Sequence, residues 1–311
     1  MRDISQHALI APLKQQTQET HKMFTRKQQL DLIALVDDTA ALTQALESLA
    51  CADNGDWSKY ANYLLDYIET GIPQFSVFMA DGNIKLPFIA FSSLALASCP
   101  GAGTCVNYCY SLKGWRYPAA LFRQIQNYLI VRDNKELLLS EMADLLSKRR
   151  FQNRDKIELR LYVDGDIESA ETLSFWMENF LPNFPQLAGY GYSKSFDLFL
   201  DYEGVWPTNY VLNISDGSIY DGDTSKIDAI KALPITRGEF KAVKLPRGKN
   251  SLGKKYSAAK GDYKTKEYRL EVKEVLDYKA FVCPGQCGSC TGKGHACGNI
   301  DVSLPIVIGI H

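Results

Sequence analysis

Seven of the chain's eight cysteines fall into two short stretches, and these are the residues best able to do chemistry. The first, CPGAGTCVNYCYSLKG, sets Cys99, Cys105 and Cys109 five and then three residues apart, with Tyr108 directly before the last. The second, CPGQCGSCTGKGHAC, sets Cys283, Cys287, Cys290 and Cys297 three, two and six residues apart, with His295 inside. A secreted disulfide scaffold is normally shorter, with cysteines spread out to staple its loops. Thiols clustered in a large chain favour metal instead. Cys51, in LESLACAD, stands alone and reads as a small buried apolar residue of a helix.

A [4Fe–4S] cube usually takes four thiolates, so three leave one iron open to a substrate or cofactor. Gly101 and Gly103 let the first loop wrap closely and point N–H groups inward. The second group has four thiolates and can close a coordination sphere. Zinc sites typically use two short pairs separated by a longer loop, whereas three crowded cysteines suit a second cube. Zinc remains the alternative there, as does a cysteine that caps the first cube's open iron. TGKG, at residues 291–294, lacks the spacing of a phosphate loop. With four histidines in the chain, at 7, 21, 295 and 311, no Ser-His-Asp set is suggested either.

The elements that must position these residues can be read from periodicity. Leu32, Leu35, Leu42, Leu46 and Leu49 recur at helical spacing, and WSKYANYLLDYIETG is a further helix ending on Gly71. Residues 1–75 thus form a helical segment, in which His7 and His21 read as surface histidines. QFSVFMADGNIKLPFIAF turns at Asp81-Gly82 as a hairpin, and FIAFSSLALA reads as a buried strand running into Cys99. Helices follow, one with Asn134 as N-cap, then the strand KIELRLYVDGD and a helix capped by Ser169. LAGYGYS, NYVLNIS and EFKAVKL alternate as strands with the helices SFDLFLDY and KIDAIKAL. Such alternation implies an α/β fold with a parallel sheet, a partial or full (β/α) barrel over 76–243. A barrel would hold the first cysteine loop at the C-terminal ends of its strands. Residues 244–311 form an extension with a basic loop and the second cysteine group.

Composition adds mainly exclusions. The net charge is −1, so no global field recruits nucleic acid or an anionic membrane. No run approaches the roughly 18 apolar residues of a membrane helix, and the N-terminus lacks a signal-peptide pattern; the chain reads as cytoplasmic with no membrane partner. Residues 244–269 carry nine basic and two acidic side chains. Lys249, Lys254, Lys255 and Lys260 are either a solvated surface or a contact to nucleic-acid phosphates.

The first loop also resembles the radical S-adenosylmethionine loop in a divergent form. The usual spacing there is three and two, against five and three here, while Tyr108 keeps the aromatic position before the last cysteine. The stretch LPFIAFSSLALASCPGAGTCVNYCYSLKGWRYPAALFRQIQN, with RLYVDGDIES, GYGYSKS and NYVLNISDG, resembles the phage and plasmid family called gene product 88, from about Asn83 to Asp223. The first resemblance implies a radical-SAM-like barrel whose open iron binds S-adenosylmethionine. In it, Asp164, Asp166 or Glu168 would hold the amino group, and Lys194, Ser195, Asn213 and Ser215 would touch carboxylate and ribose. The turn DGD departs from the family's Gly-Gly-Glu-like pattern. The second resemblance implies a mobile element's protein, cytoplasmic in the host cell. Two functions follow as expectations. One is a radical S-adenosylmethionine-type enzyme fed by an electron donor. The other is an iron–sulfur protein that binds nucleic acid or senses redox state without turnover.

Overall fold

The computed structural model describes residues 24–80, 85–288, 290, 291 and 294–310. His7, His21 and the Asp81-Gly82 turn lie outside them. Three helices open the described chain: α1 (Arg26–Ile33), α2 (Thr39–Ala50) and α3 (Asp56–Thr70). Thr25 closes a capping box with Gln28, Asp38 caps α2, and Gly71 ends α3 in the left-handed region at φ 70°. Of the leucine stripe, Leu32, Leu42, Leu46 and Leu49 are buried and Leu35 is half-buried. Cys51 is not buried as the sequence suggested; it ends α2 exposed to solvent.

The sheet has eight strands in the order β1-β2-β3-β4-β5-β6-β8-β7. β1 (Phe78–Met79) runs antiparallel to β2 (Ile89–Phe91), as the hairpin reading requires. From β2 onward every pairing is parallel: β3 (Ile157–Arg160), β4 (Leu187–Ser193), β5 (Tyr210–Ser215) and β6 (Thr236–Lys244) follow in chain order. β8 (Ile306–Ile310) then pairs with β6, and β7 (Phe281–Val282) lies outside β8. The fold is mixed α/β. The full barrel is not realised, because β1 and β7 are free edges and the sheet stays open.

Between the strands lie α4 (Tyr110–Gly114), α5 (Pro118–Asp133), α6 (Leu137–Leu146), α7 (Ala170–Ser174), α8 (Phe196–Leu200) and α9 (Thr224–Lys231). α7 continues as a π-helical turn, and α10 (Lys266–Glu274) precedes β7. Ser169 caps α7 by accepting from the Thr172 N–H at 3.1 Å. Asn134 ends α5 rather than starting α6, since its N–H donates to the Ile130 carbonyl.

Strand alternation divides the sheet into two faces. Ile157, Leu159, Leu161, Leu187, Leu212 and Ile214 pack into the core shared with the helices. Tyr190, Tyr192, Val211, Phe240 and Ile306 pack instead with Cys283, Cys290, Ala296 and Cys297. One face therefore carries the helices and the other carries the second cysteine group. β2 is shorter than the sequence suggested. Beyond Phe91 the Ser93 N–H turns to the Asp164 carbonyl, and the chain bends through residues 95–98 into Cys99.

Candidate metal centres

The loop carrying Cys99, Cys105 and Cys109 lies over the C-terminal ends of the parallel strands, held there mainly by backbone. Gly103 and Cys105 both donate N–H bonds to the Gly217 carbonyl, at 2.9 and 3.0 Å. Gly101 accepts from the Ile219 N–H, and Ala102 bridges to Ser218. A Cβ on Gly101 would stand 1.8 Å from the Lys194 carbonyl oxygen, and one on Gly103 would stand 2.4 Å from that of Ser218. The close approach, rather than any turn, demands glycine at both positions. Cys105 sits in a short 3-10 turn, Thr104–Tyr108, and Cys109 precedes α4. Leu96, three residues before Cys99, has φ 70°, a strained value for a bulky side chain.

The DGD turn grips both shoulders of this loop. Asp164 accepts from Ser111 Oγ at 2.6 Å and from Ser92 Oγ at 3.0 Å, so one carboxylate ties α4 to the end of β2. The Asp166 N–H donates to Ser98 Oγ, directly before Cys99. The Asp166 carboxylate, 5% exposed, accepts from the N–H groups of Ile167 and Lys194 at 2.8 and 2.7 Å. Between them Gly165 is at φ 79°, where a Cβ would meet Ser98 Oγ at 2.4 Å. Burial raises the Asp166 carboxyl's pKa, and it also raises the Cys99 and Cys105 thiols. Asp166 adds to the rise at Cys99, whereas Lys194 works against it at Cys105.

The remaining sequence candidates divide by what they touch. Lys194 Nζ donates to Ser215 Oγ at 2.7 Å, beside the cysteine loop. Tyr108 lies against Gly217, where a Cβ would come within 2.4 Å of its hydroxyl. Ser195 donates to the Ile167 carbonyl and is 2% exposed. Glu168 faces the helices: it accepts from Thr172 Oγ1, and burial pushes its carboxyl up to about 7. Asn213 is fully buried beneath the second cysteine group. Its amide donates to the carbonyls of Gly191 and Cys297 at 3.0 and 2.9 Å, and its oxygen accepts from Arg237 Nε at 2.6 Å. The structure thus brings Lys194, Ser215 and Tyr108 to the first loop and assigns Asn213 to the second site. A cavity of about 250 Å³ opens next to Ser215, lined also by Phe196, Ile214, Asp216, Asp221 and Lys241. Burial pushes the Asp216 carboxyl there up to about 6.

The second group occupies residues 283–305, which connect β7 to its parallel neighbour β8. Such a crossover usually contains a helix. Here, among the described residues, it has only the 3-10 turn Ala296–Gly298. Side chains of the sheet clasp it. His295, 5% exposed, bonds Glu158 through Nε2 at 2.9 Å and accepts the Gly298 N–H through Nδ1 at 3.1 Å. Both ring nitrogens are engaged, so His295 is a clasp rather than a ligand. Arg237 donates to the carbonyls of Val302, Leu304 and Glu239. The Gly285 N–H donates to Cys283 Sγ and the Ala296 N–H to Cys290 Sγ, at 3.4 and 3.3 Å. Burial raises the Cys287 thiol and pushes Cys297 up to about 11 and Cys283 up to about 12.

Two donors on this face are not used by the fold's own polar groups: Arg160 Nε is buried with no partner, and the Tyr190 hydroxyl is directed at Cys287. Both stand among the cysteines of the second group, a donor arrangement that fits an anionic thiolate centre. Neither was picked out in the sequence. The available signal was a charge at the end of a central strand, in IELRL, opposite the alternating tyrosines of GYGYS. All eight cysteines are unpaired. Among the described residues, no three of His, Cys, Asp and Glu are close enough together to grip one ion. Neighbouring cysteines of the same group nevertheless add to the rise at Cys99, Cys105, Cys283 and Cys297.

Fold and sites together define an α/β protein with a three-cysteine loop over the strand ends and a four-cysteine crossover on one sheet face. The chain belongs to the Gene product 88 family, whose model matches residues 67–298 and so spans both cysteine groups. No curated protein and no solved structure matches it.

Proposed function

We propose that this chain is an iron–sulfur enzyme of radical S-adenosylmethionine type, encoded by a mobile element and supplied by an electron donor. The observation that carries the reading is the loop of Cys99, Cys105 and Cys109, buttressed by backbone, with Lys194 beside it reaching to Ser215 on the wall of a cavity of about 250 Å³. A cube bound there supplies one-electron reduction of the cofactor. The protein's part is binding and shielding. Lys194 offers a cation to a carboxylate, with Ser215 beside it, and Tyr108 walls the loop. Asp164, Asp166 and Ser195 keep the loop and strand ends in register through bonds already satisfied within the protein.

The second group holds another cube in this reading. A single zinc requires its sulfurs at about 2.3 Å from one ion, whereas each thiolate of a cube binds a different iron and can stand further off. The crowding of Cys283, Cys287 and Cys290 within eight residues supports the cube. Anaerobic, reduced protein is expected to convert S-adenosylmethionine to 5′-deoxyadenosine and methionine. Iron-loaded protein that neither binds nor cleaves it would remove the enzyme reading and leave the iron–sulfur one.

Nucleic-acid binding is the second reading. It is favoured by the exposure of Lys249, Lys254, Lys255 and Lys260, with Lys249 bridged to Lys255 across a short turn. Affinity that falls with salt, at a slope of about 0.9 per neutralised duplex phosphate, is the expected sign.

A further inference from the structure

We propose that Arg160, assisted by the Tyr190 hydroxyl, is the counter-charge of the second thiolate centre and sets its reduction potential. The inference rests on the reading that Cys283, Cys287, Cys290 and Cys297 hold an iron–sulfur cube. Two arginines reach this sheet face, and they are used differently. Arg237 bonds the Asn213 oxygen and three carbonyls, so its fork is a structural brace. Arg160 has its Nε buried with no partner, and its guanidinium carbon lies 4.7 Å from the centre of the Tyr192 ring. No carboxylate is paired with it among the described residues. The nearest acid in sequence on its face, Glu158, is taken by His295 and Lys156.

Arg160 as a whole is half-buried, but a buried charged N–H without an acceptor is costly. Arg160 pairs in register with Tyr190, and the Tyr190 ring packs in the same cluster as Cys283, Cys290 and Cys297. Tyr190 is fully buried, and its hydroxyl is directed at Cys287. An orphan guanidinium N–H and a hydroxyl already turned to a cysteine therefore converge on the four-cysteine crossover. Thiolates and sulfide there would give the Arg160 N–H the acceptor it lacks. Arg160 acts electrostatically on Cys287 and Cys297, and a positive charge beside the centre favours its more negative, reduced state, so removing it makes reduction harder.

The test uses full-length protein reconstituted anaerobically, with Cys99, Cys105 and Cys109 changed to Ala so that only the second centre reports. Iron and sulfide are assayed, and the midpoint potential is read by titration with EPR detection. Arg160→Gln is expected to keep its iron and shift the potential to more negative values. Arg160→Lys should shift it less, and Tyr190→Phe should give a smaller shift of the same sign. Full iron with an unchanged potential in Arg160→Gln overturns the proposal while leaving the cube in place. If Arg160→Gln does not fold, Tyr190→Phe decides by the same criterion: a negative shift supports the proposal and an unchanged potential overturns it. Zinc without iron in the parent instead removes the underlying reading, and the proposal falls with it.

Discussion

The two cysteine regions are built by opposite means. The first is shaped by backbone: glycines that let main chains nearly touch, carbonyls that accept loop N–H groups, and carboxylates that hold the loop's shoulders. A cavity opens nearby, at Ser215, which Lys194 bonds. The second is clasped by side chains reaching from the sheet, Asn213, Arg237 and Glu158 through His295, and it packs into a small core of its own. A loop made of backbone leaves space for a ligand beside the cysteines. A segment sewn down by side chains leaves none. In the proposed reading, that contrast suits ligand binding at the first region and closed coordination at the second.

The largest effects should come from the cysteines themselves. Changing Cys99, Cys105 and Cys109 to Ala is expected to remove about four irons per chain while far-ultraviolet circular dichroism stays unchanged. Changing the four later cysteines to Ser should remove a similar number and also lower the unfolding midpoint, because the crossover has no helix to replace the metal. Equal stability of the two variants would erase the distinction between the regions.

Gly101→Ala forces a methyl into the Lys194 carbonyl, and we expect a loss of about 3 kcal/mol together with iron from the first site alone. Asn213→Ala leaves Arg237 Nε and the Cys297 carbonyl without their partner and should cost about 2 kcal/mol, with iron lost from the second site alone. Iron analysis in each of the two cysteine-deleted backgrounds separates these outcomes.

Glu168 provides a smaller effect with a definite sign. Burial raises its carboxyl to about 7, so the folded state binds a proton that the unfolded state has already released. Its contribution is therefore greatest below the unfolded pKa and is lost as pH rises toward 7. Glu168→Gln should flatten urea-determined stability between pH 5 and 8, a difference of about 2 kcal/mol at the upper end. An identical pH profile in the variant would show that the carboxyl is solvated. The smallest effect should follow from changing Lys249, Lys254, Lys255 and Lys260 to Gln. Stability is expected to move by less than about 0.5 kcal/mol, and any salt slope on nucleic acid should flatten by up to about four units.

Much of this was legible in the sequence for simple reasons. The cysteine spacings, Gly71, Ser169 and the alternation in LAGYGYS and NYVLNIS are local signals, and local geometry decided them. The role of DGD was harder to see, because a carboxylate near a cysteine loop reads as a ligand contact until its serine partners are located. Asn213 was misleading for a related reason. It reads as a polar residue at a strand end, but it lies inside β5, and its face of the sheet is covered by residues more than eighty positions later. The order β6-β8-β7 was hidden as well. LPIVIGI is apolar on both faces, and a two-residue strand such as Phe281–Val282 has no period to read.

That order has a consequence for how the molecule is made. β7 is synthesised before β8, yet its place in the sheet is beside β8 and nowhere else. During translation the cysteines between them must wait on a strand that has no dock. If the proposed metal is taken up there, metal arriving early would meet four thiols on a loose tether, and metal arriving late would meet them already fastened to the sheet. The timing of its delivery, as much as its affinity, would then decide how many newly made copies become complete.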